Sequence, residues 1–81
     1  MSKKQLYSLY PNPTSGVIHI QASAEQIGIN YIVYSSDGKM LFSGEITGVD
    51  TEVALHNLSD GVYLITIGED GIKQAFRVIK K

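Results

Sequence analysis

The side chains equipped for acid–base, nucleophilic or metal chemistry are few: His19 and His56, eight Asp and Glu residues, five tyrosines and no cysteine. A zinc site takes three or four protein ligands. Two histidines separated by nearly half the chain supply two, and no spacing marks a third, so no metal site is expected. The nucleophile elbow GxSxG, the zinc helix HExxH, the phosphate loop GxxxxGK(S/T) and the EF-hand loop are all missing from the 81 residues. A glycosidase dyad needs two carboxylates at a defined separation, and a chain this short seldom encloses the pocket of several hundred cubic ångströms that a substrate requires. The reading is therefore a non-enzyme with no cofactor. Asn57, Leu58 and Ser59 spell an N-glycosylation triplet, a pattern that arises easily by chance, while Pro13 bars Asn12 and Thr14 from forming one. Surface tyrosines such as Tyr7, Tyr10, Tyr34 or Tyr63 would stack on a sugar ring, although tyrosines at strand periodicity more often pack with the hydroxyl at an edge.

The charges are few and unevenly placed. All eight acids lie between Glu25 and Asp70, Lys3 and Lys4 stand at the front, and Lys73, Arg77, Lys80 and Lys81 crowd the end, for a net charge of −1. The plain interpretation is a solvated rim; the functional one is a basic patch near the C-terminus that meets something anionic or a receptor. Nucleic acid is a poor partner for an acidic balance without interleaved basic and aromatic residues. No run approaches the roughly 18 apolar residues of a membrane helix, and "MSKKQLYSLY" lacks the apolar core and cleavage site of a secretory signal.

The elements that position these residues are strands. The composition is 43% hydrophobic and 19% charged, which is globular rather than disordered. Alternation of period two recurs along the chain, and helical periodicity does not. "GVIHIQA" sets Ile18, Ile20 and Ala22 against Val17, His19 and Gln21. "GINYIVYS" is apolar on both faces and is expected centrally. It joins "KMLFSGEI" through Ser36, Asp37 and Gly38, and an Asp-Gly pair favours the positive φ of a tight antiparallel hairpin. "DTEVALH" turns Val53 and Leu55 inward, and its charges suit an edge strand. "GVYLITIG" reads as buried on both sides, with Tyr63, Ile65 and Ile67 on one face and Val62, Leu64 and Thr66 on the other. "EDG" at 69–71 predicts a second hairpin into "IKQAFRVIK". "SAEQIG" predicts a loop or a single turn capped by Ser23. With "QLYSLY" at the front this makes about seven short strands, spaced for an all-β antiparallel sandwich in preference to a barrel.

The stretch "YPNPTSG" at 10–16 is the stiffest. Pro11 and Pro13 set φ near −65° and push Tyr10 and Asn12 toward extended conformations. Asn12 and Thr14 carry side chains that bond nearby backbone, and Gly16 frees the chain to turn into its strand.

In order and spacing, "LYPNPTSG", "IVYSSDGKML", "LHNLSDGVYLITI" and the closing "KQAFRVIKK" strongly resemble the C-terminal sorting domain of the type IX (Por) secretion system. The resemblance covers the chain from about Leu6 to Lys81. It implies an immunoglobulin-like β-sandwich that is the last module of larger secreted proteins of Bacteroidetes-type bacteria; residues 1–81 read as a single such C-terminal sorting domain, either excised from its precursor with Met1 supplied for expression or a stand-alone relative. It also implies a role as an address: the outer-membrane translocation machinery recognises the domain, and a sortase-like peptidase removes it as the upstream cargo is joined to the cell surface after passing through the periplasm. The residues carried over by motif position are Pro11, Asn12, Pro13, Gly16, Gly38, Lys39, Gly61, Tyr63, Lys80 and Lys81, in recognition and fold roles, the lysines exposed. The position after Val33 and Tyr34, acidic in the family pattern, is Ser35 here. Rival readings are a small adhesive or carbohydrate-binding module and a structural spacer. An exposed edge, "DTEVALH" or "QLYSLY", offers a homodimer by strand pairing.

Overall fold

In the computed structural model, which describes residues 6–69 and 73–81, alternating apolar residues form seven strands and one short 3₁₀ turn. The strands are β1 (Ser8–Tyr10), β2 (Val17–Gln21), β3 (Asn30–Ser35), β4 (Met40–Glu45), β5 (Asp50–Ala54), β6 (Gly61–Ile67) and β7 (Gln74–Lys80). They divide into a three-stranded sheet, ordered β1-β2-β5, and a four-stranded sheet, ordered β4-β3-β6-β7, with every strand pair antiparallel. The expected sandwich is what the chain adopts.

Each sheet owns one apolar face, and the two faces close on each other. Ile18 and Ile20 of β2 and Val53 of β5 meet Tyr31 and Val33 of β3, Tyr63, Ile65 and Ile67 of β6 and Val78 of β7, all buried, with Tyr7, Ile46 and Leu55 completing the core from beyond the strand ends. Full burial of each of the larger aliphatic side chains contributes about 1.5–3 kcal/mol. The predicted position of β3 inside its sheet and of β5 at an edge both hold. The Ser36–Gly38 turn joins β3 to β4, with Gly38 at φ 91°.

Three expectations change. β6 is central in its sheet but not buried on both sides: Val62 and Leu64 are each 39% exposed. A two-layer sandwich of this size has no third layer to cover the outer face. The first strand is shorter than "QLYSLY", because Leu6 and Tyr7 pack against the core before pairing begins at Ser8, and Gln5 lies outside the described residues. Of the second hairpin, β6 and β7 pair as expected, Ile67 opposite Gln74, while Asp70 and Gly71 of its turn fall outside the described residues. The "SAEQIG" segment makes the single turn foreseen, Ala24–Gln26, and the Ser23 N–H donates to Gln26 Oε1 at 3.0 Å.

Candidate recognition surface

The corner after β1 is built against the last strand. The Asn12 side-chain amide occupies the place a neighbouring strand would take: its Nδ2 donates to the Arg77 carbonyl at 2.8 Å and its Oδ1 accepts from the Ile79 N–H at 2.9 Å. Thr14 continues the pairing with its backbone, donating to the Ile79 carbonyl at 2.8 Å and accepting from the Lys81 N–H at 3.0 Å, as a parallel bridge opposite Lys80. Four bonds therefore lace 12–14 to 77–81. A side-chain amide fits this role because it carries a donor and an acceptor side by side, as a peptide unit does.

The corner holds its own shape by satisfying its buried groups. Thr14 is buried, and its Oγ1 donates to the Val17 carbonyl at 2.6 Å and accepts from the Gly16 N–H at 3.1 Å. The Tyr10–Pro11 and Asn12–Pro13 peptide bonds are both cis. Gly16 turns the chain into β2 and its carbonyl accepts from the Leu55 N–H at 2.6 Å; a β-carbon there would lie 3.2 Å from His56 Nδ1, so the position is close-fitting without being closed.

Strand register carries the other motif residues to the same end. Gly61 pairs with Lys80, and Ser35 pairs with Tyr63, so the start of β6, the end of β7 and the β3–β4 turn lie side by side. Tyr63 is buried on the inner face and its hydroxyl donates to the Ser59 carbonyl, which fastens the 55–60 loop over the core. Gly61, at φ 159°, is extended backbone. In the β3–β4 turn the Gly38 N–H donates to the Ser35 carbonyl at 2.9 Å, and the Ser35 hydroxyl accepts from the Lys39 N–H at 3.2 Å and donates to the Asp37 carboxylate. That hydroxyl, followed by the Asp37 backbone N–H, holds the Asp37 carboxyl below the usual carboxylate range. Ser35 thus does locally what an acidic residue at this position would do, accepting the turn's N–H.

The two terminal lysines differ. Lys81 and Lys39 are exposed. Lys80, expected to be exposed, has a side chain only 11% accessible, its ammonium 3.2 Å from Asp60 Oδ1. Its stem lies along the sheet while the head finds a carboxylate, the usual compromise for a long cationic chain. All ten motif positions therefore share one end of the sandwich, where Lys39 and Lys81 are exposed and make no salt bridge among the described residues.

Two of the tyrosines weighed for a sugar platform are in the core, as the packing reading has it: the alternation of β6 turns Tyr63 inward, and Tyr7 packs against the core ahead of β1. Tyr10 is exposed but stacks on His19, ring centroids 5.1 Å apart, and its hydroxyl donates to Asp50 Oδ2 at 2.8 Å. His19 Nδ1 lies 2.8 Å from Asp50 Oδ1, a partnership the separate residue types do not announce, since only the β2–β5 register brings positions 19 and 50 together. The bonds from His19 and then from Tyr10 hold the Asp50 carboxyl below its ordinary value, and the bond to Asp50 chiefly raises the Tyr10 hydroxyl above its own. His56 sits apart, in the loop beside Gly16. Among the described residues no three His, Cys, Asp or Glu side chains gather as metal ligands would.

Residues 8–81 match the secretion system C-terminal sorting domain family, which covers nearly the whole chain. No curated protein matches the sequence.

Proposed function

Because the chain belongs to the secretion system C-terminal sorting domain family, we propose that the end of the sandwich holding 11–16, the β3–β4 turn, Tyr63 and the terminal lysines is the surface by which the type IX machinery takes hold of it. The domain is a C-terminal sorting signal of that system; it interacts with the secretion machinery on behalf of an upstream cargo, which is a secreted or cell-surface protein. The family is a sorting signal and not a catalyst, and the domain brings no chemistry of its own to the process.

The observation that carries the reading is the lacing of 12–14 to 77–81. An address read as a fold has to present its landmarks in constant geometry. Here the first landmark of the motif is bonded to the last. In this reading Pro11, Asn12, Pro13 and Gly16 hold the corner, Gly38 supplies the positive φ of the β3–β4 turn, and Gly61 opens β6 opposite Lys80. Tyr63 and Lys80 fasten the end, while Lys39 and Lys81 present charge to the receptor. An immunoglobulin-like assignment is supported by the strand order and by the Tyr63 hydroxyl bonding back to Ser59, the corner found at the same place in such sandwiches.

The cargo enters from the side of Leu6 and Tyr7. β1 runs from Ser8, opposite Gln21, toward Tyr10, opposite His19, so the preceding chain emerges at the far end of the sandwich from Lys81. A cargo there leaves the proposed surface open. Passage through the periplasm, removal by a sortase-like peptidase and surface attachment complete the reading. Self-association through β5 or β1 is its least favoured part, since exposed Asp50 and Glu52 on β5 repel a second copy and β1 offers three residues.

The test is export of a reporter fused ahead of residues 1–81 in a bacterium with the type IX machinery. Removal of Lys80 and Lys81 is expected to abolish export. Undiminished export of that truncation overturns the role of this end.

A further inference from the structure

The outer face of the four-stranded sheet carries a second feature at the same end. Register aligns Met40, Tyr34, Leu64 and Arg77 in one row across β4, β3, β6 and β7, and Val62 with Ile79 in the next. Of these, Met40 is 59% exposed and Val62 and Leu64 are among the large apolar side chains most open to water. Exposed apolar side chains grouped on a central strand are unusual, because a monomer gains nothing by wetting them. An open groove of about 310 Å³ runs over this area, lined by Ser35, Ser36, Gly38, Val62, Leu64 and Arg77 among others. It is open to solvent and at the small end of ligand-site volumes, the size of one or two side chains.

The groove has a defined sign. Arg77 is exposed, and among the described residues its guanidinium has no carboxylate partner. No carboxylate lines the groove, and that of Asp37, the nearest in sequence, is already engaged by the Ser35 hydroxyl. The Arg77 backbone is held by Asn12, so this cation sits on a fastened strand. A planar guanidinium beside an apolar floor favours a carboxylate, which it binds through two parallel bonds.

The geometry points to this groove as the docking site for a segment of a partner protein that offers apolar side chains together with a carboxylate, an inference that rests on the sorting reading and names the chemistry its receptor must present. A single cation in a concavity fits a polypeptide segment better than an anionic membrane, which rewards several cations on a convex surface.

The test has two arms. In the first, the isotope-labelled domain is titrated with a synthetic octapeptide of leucines and glutamates, with the same peptide carrying lysines for glutamates, and with phosphatidylglycerol vesicles. Saturable shifts at the amides of Ser35, Val62, Leu64 and Arg77 with the acidic peptide alone are expected, and Arg77→Glu should raise the Kd about tenfold or more. Binding of vesicles but not of the peptide, equal binding of both peptides, or binding indifferent to Arg77→Glu overturns the proposal. In the second arm, Arg77→Glu and Leu64→Ser, each checked for an unchanged fold by its amide spectrum, are placed in the reporter fusion beside the deletion of Lys80 and Lys81. Full export of both variants alongside loss of export in the deletion sinks the groove and leaves the sorting reading standing. Full export of the deletion overturns the role of the terminal lysines and their end of the sandwich, while the peptide arm still decides the groove.

Discussion

Single residues set the local constraints. At Gly44 an added β-carbon would fall 2.6 Å from Tyr31 Cζ and 2.9 Å from its Cε2. The Tyr31 ring is part of the core and cannot swing into solvent. Gly44→Ala should therefore cost about 1–3 kcal/mol as an overpacking change, read as a lower urea midpoint. Gly38 is the opposite case: space around it is open but its φ of 91° is strained for any other L-residue, and Gly38→Ala should cost about 1–2 kcal/mol. Asp50 supplies a pH signature. Its carboxyl is held low by His19 and Tyr10, so its ionised form favours the folded state. That contribution is present above the ordinary carboxylate value of about 4 and is lost as the pH falls through the lower folded value. Stability measured by urea unfolding should drop more steeply with acid in the unaltered domain than in Asp50→Asn, and the two curves should converge at the acid end.

Elements add a constraint no single position carries. The four-stranded sheet would end at β7 with open backbone groups, and 12–14 closes part of that edge with two side-chain and two main-chain bonds. Asn12→Ala removes the side-chain pair and should cost about 1–3 kcal/mol. Amide exchange should quicken at Ile79, whose N–H loses its acceptor, and spread to Lys81 as the corner loosens, while β2 and β3 keep their protection. A comparably destabilising core change on the other sheet, Val53→Ala, should leave the relative protection of Ile79 and Lys81 intact. Asn12→Ala should impair export more than Val53→Ala does at matched stability. The strands themselves were legible because period-two alternation is a local property; residues 17–22 and 53–55 announce their inward faces without any partner, and 31–34, apolar on both faces, announce a central strand. The Asn12–Ile79 pairing was not, because nothing local distinguishes a turn-forming asparagine from one that reaches across to another strand. The wet outer face of β6 was misjudged for a related reason: Val62 and Leu64 have the composition of a covered strand, and whether a third layer exists depends on how much chain is available to build one.

At the scale of the whole molecule the sandwich has two unlike ends. Chain direction places Leu6 and Tyr7 at one end and the corner, the β3–β4 turn and Lys81 at the other. The motif residues were legible in the sequence, yet their convergence on one end was not, since it follows from how β3, β6 and β7 are registered rather than from their spacing along the chain. Polarity of this kind makes a prediction about where bulk is tolerated. A folded protein fused before residue 6 extends away from the candidate surface, whereas one fused after Lys81 through a short linker emerges beside Thr14 and Asp60 and covers it. Export of a reporter carried ahead of the domain should survive enlargement of that reporter. It should fail when a second small folded domain follows Lys81, and recover when a long flexible linker moves the second domain away, because steric cover by a tethered body falls as the tether lengthens. Thermal unfolding of the purified fusions should stay unchanged throughout, which separates masking of the surface from damage to the fold. Equal export of the short-linked and long-linked fusions would mean that the machinery grips the domain elsewhere.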